Sequence, residues 1–201
     1  MTELTKHGKT VRLQAVDFVP EIQLYLCDTA HVIIPPARYP CWAYAWVGGK
    51  ALARYILDNP ELVAGKTVVD IASGSGISAI AAKMAGAARV VAIDDYGPSA
   101  EIMQLNAAAN GVEIEIVQQD IFTYTPDGGD LFIMGDPFYN DELFPYIQAN
   151  FKPTLVGSPL RSCEVYYHFY LKNPIMTYTL TSPPGYDDFL NVDTHIWWLS
   201  E

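Results

Sequence analysis

Hydrophobic and polar residues along the chain alternate between strand-like and helix-like spacing. The β-branched run at 66–72 predicts a strand, and the Ala-rich stretch at 77–86 predicts a helix that ends at Gly86. Strands that alternate with helices form a parallel sheet with helices on both faces, so the predicted fold class is α/β. The last two strands are expected to pair antiparallel. The predicted strands are 66–72, 89–93, 113–118, 130–134, 154–157, 175–181 and 194–199, and the predicted helices are 48–59, 77–86, 98–110 and 141–150.

Length and charge limit the classes of protein that this chain can represent. It has 201 residues, half of them hydrophobic, which is enough for one domain with a substantial core. Its formal net charge is −11, whereas nucleic-acid-binding proteins usually present a basic face to the phosphates. The charge therefore argues against a nucleic-acid partner and favours a cationic one, such as a lysine-bearing protein surface.

The cysteines and histidines do not suggest a metal site. Cys27, Cys41 and Cys163 are odd in number and lack CxxC spacing, so neither a disulfide framework nor a zinc site is expected. The four histidines show no ligand spacing, and the N-terminus lacks the apolar core of a signal peptide. No window approaches the roughly 20 apolar residues of a membrane span. We therefore expect a cytoplasmic protein without a metal and without a membrane partner.

A glycine-rich loop, Asp70-Ile-Ala-Ser-Gly-Ser-Gly76, joins the strand at 66–72 to its helix. Gly74 and Gly76 allow a ligand to approach the backbone closely, and the helix N-terminus beyond them offers unpaired N–H groups. The same stretch fits the dinucleotide pattern G-x-G-x-x-G/A, with Asp94 near the spacing of a ribose-binding acid. The loop pattern is therefore compatible with two ligands, a nicotinamide dinucleotide and S-adenosylmethionine.

Two acids favour S-adenosylmethionine. Asp70 ends its strand just before the glycines; a carboxylate there would repel a pyrophosphate but suits a ligand that carries an ammonium and a sulfonium and no phosphate. Asp136-Pro-Phe-Tyr139 follows the strand at 130–134, and in methyltransferases that use S-adenosylmethionine an acid followed by aromatic residues at this strand end is typical of the methyl-acceptor site. The alternative role for Asp70 is a helix N-cap or turn residue.

The acids after the next two strands are candidates for binding the nucleoside half of the ligand. Asp94 directly follows the apolar run VVAI and could accept hydrogen bonds from both ribose hydroxyls, with its neighbour Asp95 as the competing candidate. Asp120 could accept the adenine amino group while Ile121 packs on the ring. A plain turn aspartate is the alternative for Asp120.

Taken together, these segments resemble the electron transfer flavoprotein β-subunit lysine methyltransferases, especially their bacterial branch. A W-A-x-A-W-x-G-G segment at 42–49, an A-S-G-S-G loop and a D-x-F-Y tetrapeptide carry the resemblance, and the stretch 157–161 departs from the family's Gly-Asp-Pro-Gly-Arg pattern. The resemblance implies a Rossmann-like class I methyltransferase with a mostly parallel seven-stranded sheet and an antiparallel C-terminal strand. It also implies that 1–45 form an N-terminal extension and substrate-side segment, and 46–201 the methyltransferase domain. The matching stretches are 20–31, 40–66, 68–87, 107–111, 135–143 and 194–199.

The resemblance implies S-adenosylmethionine as the cofactor and assigns a role to each matched residue. Trp46 and the Gly48-Gly49 turn would flank the cofactor, the glycine loop with Asp70 would hold its methionine end, and Asp94 and Asp120 would hold its ribose and adenine. Ala72 stands where the wider class often has glycine. The expected cofactor-binding residues are Trp46, Gly48, Asp70, Ala72, Ser73, Gly74, Gly76, Asp94, Asp120 and Ile121.

The resemblance also places the methyl-acceptor site at Asp136, Phe138 and Tyr139. A lysine amine must be neutral to attack a methyl group, although its ordinary pKa is about 10.4. Asp136 would orient the amine, and the two rings would form an apolar slot around the lysine stem. The implied substrate is a surface lysine of the electron transfer flavoprotein β subunit. Two alternatives stay open: a nucleobase amino-group methyltransferase, because D-P-F-Y is similar to D-P-P-Y, and a non-catalytic module that only binds the cofactor.

Overall fold

The computed structural model of the protein describes residues 3–27, 41–159, 171, 173–181 and 191–200. All seven predicted strands and all four predicted helices are present in it, with ends within three residues of the predicted ones. The strands are β1 (Glu3–Lys6), β2 (Lys9–Val16), β3 (Val19–Cys27), β4 (Thr67–Ile71), β5 (Arg89–Asp94), β6 (Glu115–Gln118), β7 (Leu131–Gly135), β8 (Thr154–Pro159), β9 (Met176–Thr181) and β10 (Asn191–Leu199). The helices are α1 (Val47–Asp58), α2 (Ile77–Met84), α3 (Gly97–Ala109) and α4 (Leu143–Asn150).

Seven of the strands form the central sheet, in the order β6-β5-β4-β7-β8-β10-β9. The five strands from β6 to β8 in this order are parallel, and β10 pairs antiparallel with both β8 and β9. The order of the parallel strands reverses between β4 and β7, because β5 and β6 lie on one side of β4 and β7 and β8 on the other. In open α/β sheets, ligands bind at the carboxyl ends of the strands beside such a reversal. The predicted mostly parallel seven-stranded sheet with an antiparallel C-terminal strand is confirmed.

Helices cover both faces of the sheet, as the doubly wound prediction requires. Alternate residues of β4 separate the two layers, because Val68 joins the core beneath α1 and α2 whereas Val69 joins the core beneath α4. Leu52 of α1 and Ile147 of α4 are fully buried in these two layers. None of the helices in the described residues is long and apolar enough to cross a membrane.

The N-terminal stretch forms a second sheet, with the antiparallel order β1-β2-β3. No strand was predicted there from the sequence. Ile22 and Leu24 of β3 are fully buried and belong to the main core, so this sheet packs against the domain that contains the seven-stranded sheet. Lys50 of α1 fastens the tip of the β2–β3 hairpin, since its buried ammonium donates to both carboxylate oxygens of Asp17, at 3.0 and 2.8 Å, and to the carbonyl oxygen of Thr181 at 2.9 Å.

Candidate functional site

A cavity of about 270 Å³ opens at the carboxyl ends of β4, β5 and β6. The loop after each strand contributes to it, and the predicted residues Ala72, Asp94, Asp120 and Ile121 all belong to its wall. Its walls are thus built by the strand ends at which the sequence predicted the cofactor. The described residues that line it are Cys41, Ala72, Ile93, Asp94, Asp95, Tyr96, Ser99, Gln119, Asp120, Ile121, Phe122, Asn140 and Leu143.

The charge of this lining selects the kind of ligand. Three of the lining residues, Asp94, Asp95 and Asp120, are acids, and none of the thirteen is a lysine or an arginine. An acidic wall without a cation is unfavourable for a pyrophosphate and favourable for a ligand with positive groups. The geometry therefore favours S-adenosylmethionine over a nicotinamide dinucleotide.

The glycine loop leaves β4 in a left-handed backbone conformation. Ala72, Gly74 and Gly76 have φ values of 54°, 54° and 82°, which glycine adopts freely and alanine only against a steric penalty. The loop is held from within, because the N–H of Gly76 donates to the carbonyl oxygen of Ser73 at 2.8 Å. It is held to the next strand as well, because the N–H of Ser73 donates to the carbonyl oxygen of Ile93 at 2.9 Å.

Asp70 is turned into this loop and away from the cavity. Its carboxylate is buried, accepts a hydrogen bond from the hydroxyl of Ser73, and accepts another from the N–H of Ala79 in the first turn of α2 at 3.1 Å. Burial raises the pKa of Asp70 to about 7, although these two hydrogen bonds lower it. Asp70 is not among the residues that line the cavity. Its contacts are those of the alternative role, a residue that caps the helix and shapes the loop.

Asp94 connects the glycine loop to the turn after β5. One carboxylate oxygen accepts from the N–H of Gly74 at 2.8 Å, and the other accepts from the N–H of Tyr96 at 3.0 Å. Burial raises the pKa of Asp94, while these backbone hydrogen bonds lower it. Asp95 also lines the cavity, so both candidates for the ribose-binding acid reach it, but the described contacts to the loop are made by Asp94.

Asp120 and Ile121 form the part of the wall that follows β6. Asp120 accepts from the N–H of Phe122 at 2.9 Å and thereby caps the short 3₁₀ turn Ile121–Thr123. Ile121 is 9% exposed, and its side chain supplies apolar surface next to the exposed acid. The cap contact also fits a plain turn aspartate, so the adenine-binding role of Asp120 stays a prediction.

The Asp136-Pro-Phe-Tyr139 segment lies beside the N-terminus of α1. Asp136 has a left-handed backbone (φ 53°), and one of its carboxylate oxygens accepts from the N–H of Gly49 at 3.2 Å. Its own N–H donates to the carbonyl oxygen of Gly157 at 2.8 Å. The ring of Phe138 packs on Phe144 with centroids 4.9 Å apart. The side chain of Tyr139 lies outside the described residues, as do residues 160 and 161 of the divergent segment.

Closely approaching backbones explain the glycines at the start of α1. A Cβ atom on Gly48 would lie 2.3 Å from the carbonyl oxygen of Gly157 and 2.5 Å from a carboxylate oxygen of Asp136. A Cβ atom on Gly135 would lie 2.8 Å from the backbone nitrogen of Gly49. These separations are shorter than any normal contact, so only glycine fits. Gly48 therefore contacts residues of β8 and the end of β7, and its expected place beside the cofactor stays a prediction.

Trp46 contacts a residue that lines the cavity and is not itself part of the described lining. Its indole N–H donates to the carbonyl oxygen of Cys41 at 3.0 Å, and its ring packs edge-on against Tyr44. Cys41 itself lines the cavity, and its carbonyl oxygen lies 3.5 Å from the position of a Cβ on Gly74. Trp46 thus holds in place the turn that closes this side of the cavity.

The structure divides the predicted residues into two neighbouring groups. One group surrounds the cavity, and the other lies where α1 meets the ends of β7 and β8; Asn140, which follows the D-P-F-Y segment, lines the cavity and connects the two. Sequence reasoning missed several cavity residues. Tyr96, Gln119 and Asn140 could have been found, because each lies next to a predicted residue at a strand end, whereas Cys41 has no local signal.

Comparison with known proteins gives the same fold and a family. The profile of the ribosomal protein L11 methyltransferase family (PrmA) matches residues 51–129. A ribosomal protein L11 methylase from Lactobacillus delbrueckii superposes with a TM-score of 0.53 at 19% identity, covering 73% of this chain and 77% of its own. An RNA methyltransferase from Salinibacter ruber, solved in complex with S-adenosyl-L-homocysteine, gives a TM-score of 0.53 at 19% identity, covering 76% of this chain and 92% of its own.

Sequence relatives extend over more of the chain. The electron transfer flavoprotein beta subunit lysine methyltransferase of Homo sapiens is 39% identical over 149 residues, which is 71% of this chain and 54% of the human protein. The chain thus spans about half the length of the mammalian relatives that it matches. The protein of the same name from Xenopus laevis is 31% identical over 195 residues, which is 89% of this chain and 79% of the frog protein. The chain therefore belongs to the electron transfer flavoprotein beta subunit lysine methyltransferase family, within the S-adenosylmethionine-dependent methyltransferases.

Proposed function

We propose that this chain transfers a methyl group from S-adenosylmethionine to a lysine side chain of the electron transfer flavoprotein β subunit. The observation that carries the proposal is the acidic cavity at the ends of β4, β5 and β6, which reaches the Asp136-Pro-Phe-Tyr139 segment through Asn140. Among the described residues of its lining there is no lysine and no arginine. The names of the relatives from Homo sapiens and Xenopus laevis support both the reaction and the substrate.

In this proposal, particular side chains hold each part of the cofactor. Asp94 receives the ribose hydroxyls, and Asp120 receives the adenine amino group while Ile121 packs on the ring. The backbone at Gly74 approaches the methionine end, where Ala72 and Ser73 continue the loop. Asp70 contributes by holding this loop, since its carboxylate is bound to Ser73 and to the N-terminus of α2. When bound, the cofactor supplies a methyl group activated by its positive sulfonium.

The acceptor side must deliver a neutral amine in line with that methyl group. Asp136 favours the charged ammonium by its own charge, so its role is to orient the amine by a hydrogen bond, and the proton leaves to water before the nitrogen attacks. The left-handed backbone of Asp136 and its contact with Gly49 fix this carboxylate before a substrate arrives. Phe138 and Tyr139 surround the lysine stem, and most of the rate enhancement comes from positioning and desolvation.

Residues 1–45 are proposed to serve the substrate side, and 46–201 the chemistry. One observation supports this division: 3–27 form a sheet of their own, separate from the seven-stranded sheet. The net charge of −11 suits a lysine-bearing protein surface. Cys27 and Cys41 are free thiols, which supports a reducing, cytoplasmic location.

The test uses the purified protein, S-adenosylmethionine labelled in its methyl group, and electron transfer flavoprotein from the same organism. We expect label in a lysine of the β subunit. Asp136→Ala should lose most of the turnover and keep most of the cofactor affinity. Asp141→Ala removes an exposed acid five residues further on and should leave both nearly unchanged. If the flavoprotein stays unlabelled while another lysate protein is labelled, the substrate assignment is wrong; label that nuclease removes would instead identify a nucleic-acid substrate.

A further inference from the structure

Asn106 connects the cofactor loop to the N-terminal sheet. It lies in α3, and its side chain is 0% exposed. Its amide nitrogen donates to the carbonyl oxygen of Ser75 at 2.8 Å, and its amide oxygen accepts from the N–H of Tyr25 in β3 at 2.7 Å. The two partners fix the orientation of the amide, because a carbonyl can only accept and an N–H can only donate.

Asn110, one helical turn further along, makes a similar contact that does not reach the loop. Its amide nitrogen donates to the carbonyl oxygen of Gln23 at 2.7 Å, and its amide oxygen accepts from the N–H of Gln23 at 2.9 Å. Residues two apart on a strand and four apart on a helix have nearly the same spacing, about 6 Å. The two asparagines can therefore pair with Gln23 and Tyr25 along the outer edge of β3.

The contact with Ser75 lies at the most constrained part of the loop. Ser75 is 4% exposed and stands between Gly74 and Gly76, both in the left-handed conformation. A buried carbonyl that loses its donor destabilises its conformation by roughly 1–3 kcal/mol. Removal of the Asn106 donor therefore favours a shift of the loop backbone that brings Ser75 toward another partner.

We propose that Asn106 is a positioning residue for the cofactor loop and that, through it, the N-terminal sheet sets the affinity for S-adenosylmethionine. The inference rests on the proposed location of the cofactor site.

The experiment compares Asn106→Asp with Asn110→Asp by calorimetric titration with S-adenosylmethionine and by urea unfolding. Each variant replaces an amide nitrogen that donates to carbonyl oxygens with a carboxylate oxygen, in α3 for Asn106 and at its C-cap for Asn110. Asn106→Asp loses the bond to Ser75, whereas Asn110→Asp loses the bonds to Gln23 and to the backbone of Asn106. We expect both to lower the free energy of unfolding, and we expect only Asn106→Asp to raise the cofactor Kd, by about tenfold, the effect of one lost hydrogen bond.

Hydrogen exchange gives a second readout that does not depend on the ligand. The N–H of Gly76, which is bonded to Ser73 within the loop, should exchange faster in Asn106→Asp than in Asn110→Asp at equal global stability. If Asn106→Asp does not fold, the pair Asn106→Ala and Asn110→Ala serves the same comparison. Equal changes of Kd in both members of a pair would overturn the proposal. Wild-type protein that binds no S-adenosylmethionine would instead refute the proposed cofactor site.

Discussion

Asp70 offers a direct test of how the loop at the end of β4 is built. Its side chain is buried and accepts hydrogen bonds from Ser73 and Ala79, and burial raises its pKa to about 7. An aspartate in the unfolded chain titrates near pH 3.9. The native protein therefore keeps a proton on this carboxyl over a range of pH in which the unfolded chain has lost it.

The sign of the effect on stability follows from this difference in proton binding. The native state holds more protons than the unfolded state between about pH 4 and pH 7, so the free energy of unfolding falls as the pH rises through this window. The stabilisation is complete below about pH 4 and is lost above about pH 7, where Asp70 is ionised in both states. A shift of about three units at about 1.4 kcal/mol each sets an upper limit of about 4 kcal/mol.

The assay is urea unfolding of the wild-type protein and of Asp70→Asn at several pH values from about 4.5 to about 8.5. The amide cannot ionise, and its oxygen can still accept from Ala79. The stability of Asp70→Asn relative to the wild type should therefore increase with pH across the window. Asp130→Asn is the matched control. Asp130 accepts from the N–H of Thr67 at 2.8 Å at the start of β4 and is exposed, so this variant removes a carboxylate that accepts a backbone hydrogen bond but lacks the burial of Asp70.

The same experiment distinguishes the two roles that the sequence left open for Asp70. A carboxylate that faced the ammonium of the cofactor would lie in the cavity and would ionise at low pH. A pH-independent difference between Asp70→Asn and the wild type would therefore refute the buried, loop-holding role. An abrupt loss of the pH dependence on addition of S-adenosylmethionine would point to direct contact with the ligand's positive groups.

Three further predictions concern other parts of the site. Ala72→Gly should raise the free energy of unfolding by about 0.5 kcal/mol in urea titrations. Glycine removes the steric strain of the left-handed alanine, and this stabilises the native state by more than the added entropy stabilises the unfolded chain. A decrease in the free energy of unfolding would contradict this. Gly48→Ala should destabilise the protein by about 3 kcal/mol or more, since its Cβ would lie 2.3 Å from a carbonyl oxygen of β8. Gly97→Ala, whose Cβ would meet only a flexible glutamine amide at 3.2 Å, should be tolerated, and similar unfolding midpoints for the two variants would be inconsistent with the packing described. Asp94→Asn should raise the cofactor Kd by about tenfold or more, whereas Asp95→Asn should change it much less; calorimetry that shows the reverse order would transfer the ribose-binding role to Asp95.

The central sheet was predictable from the sequence, because each strand and helix carries its own local pattern. The N-terminal sheet was not predicted, although β3 shows alternation at Ile22, Leu24 and Leu26. β1 is too short and too exposed to give a pattern. The outer edge of β3 is completed by Asn106 and Asn110, more than 80 residues away. No window of the sequence contains both partners, so local reasoning could not recognise this edge.

The candidate site likewise contains residues that local patterns predict and residues whose contacts depend on tertiary packing. The positions of Asp94 and Asp120 were predictable, because carboxyl ends of neighbouring parallel strands meet at one edge of a sheet. The direction of Asp70 and the role of Gly48 were not predictable. The left-handed turn at Ala72 directs the loop so that the N–H of Ala79, in the first turn of α2, donates to the Asp70 carboxylate. Gly48 depends on how closely α1 approaches β8, which follows from packing across the whole sheet.

The four acids of the site share one kind of backbone contact. Asp70, Asp94, Asp120 and Asp136 each accept a hydrogen bond from the backbone N–H of a turn or a helix start. This contact holds each side chain before a ligand binds, and a carboxylate has enough lone pairs to accept from a ligand as well. An alanine at any of these positions removes a capping contact, worth about 1 kcal/mol, together with any ligand contact. Loss of activity in an alanine variant therefore separates a folding role from a binding role only when cofactor affinity and stability are measured beside it, whereas asparagine removes the charge and keeps one acceptor oxygen.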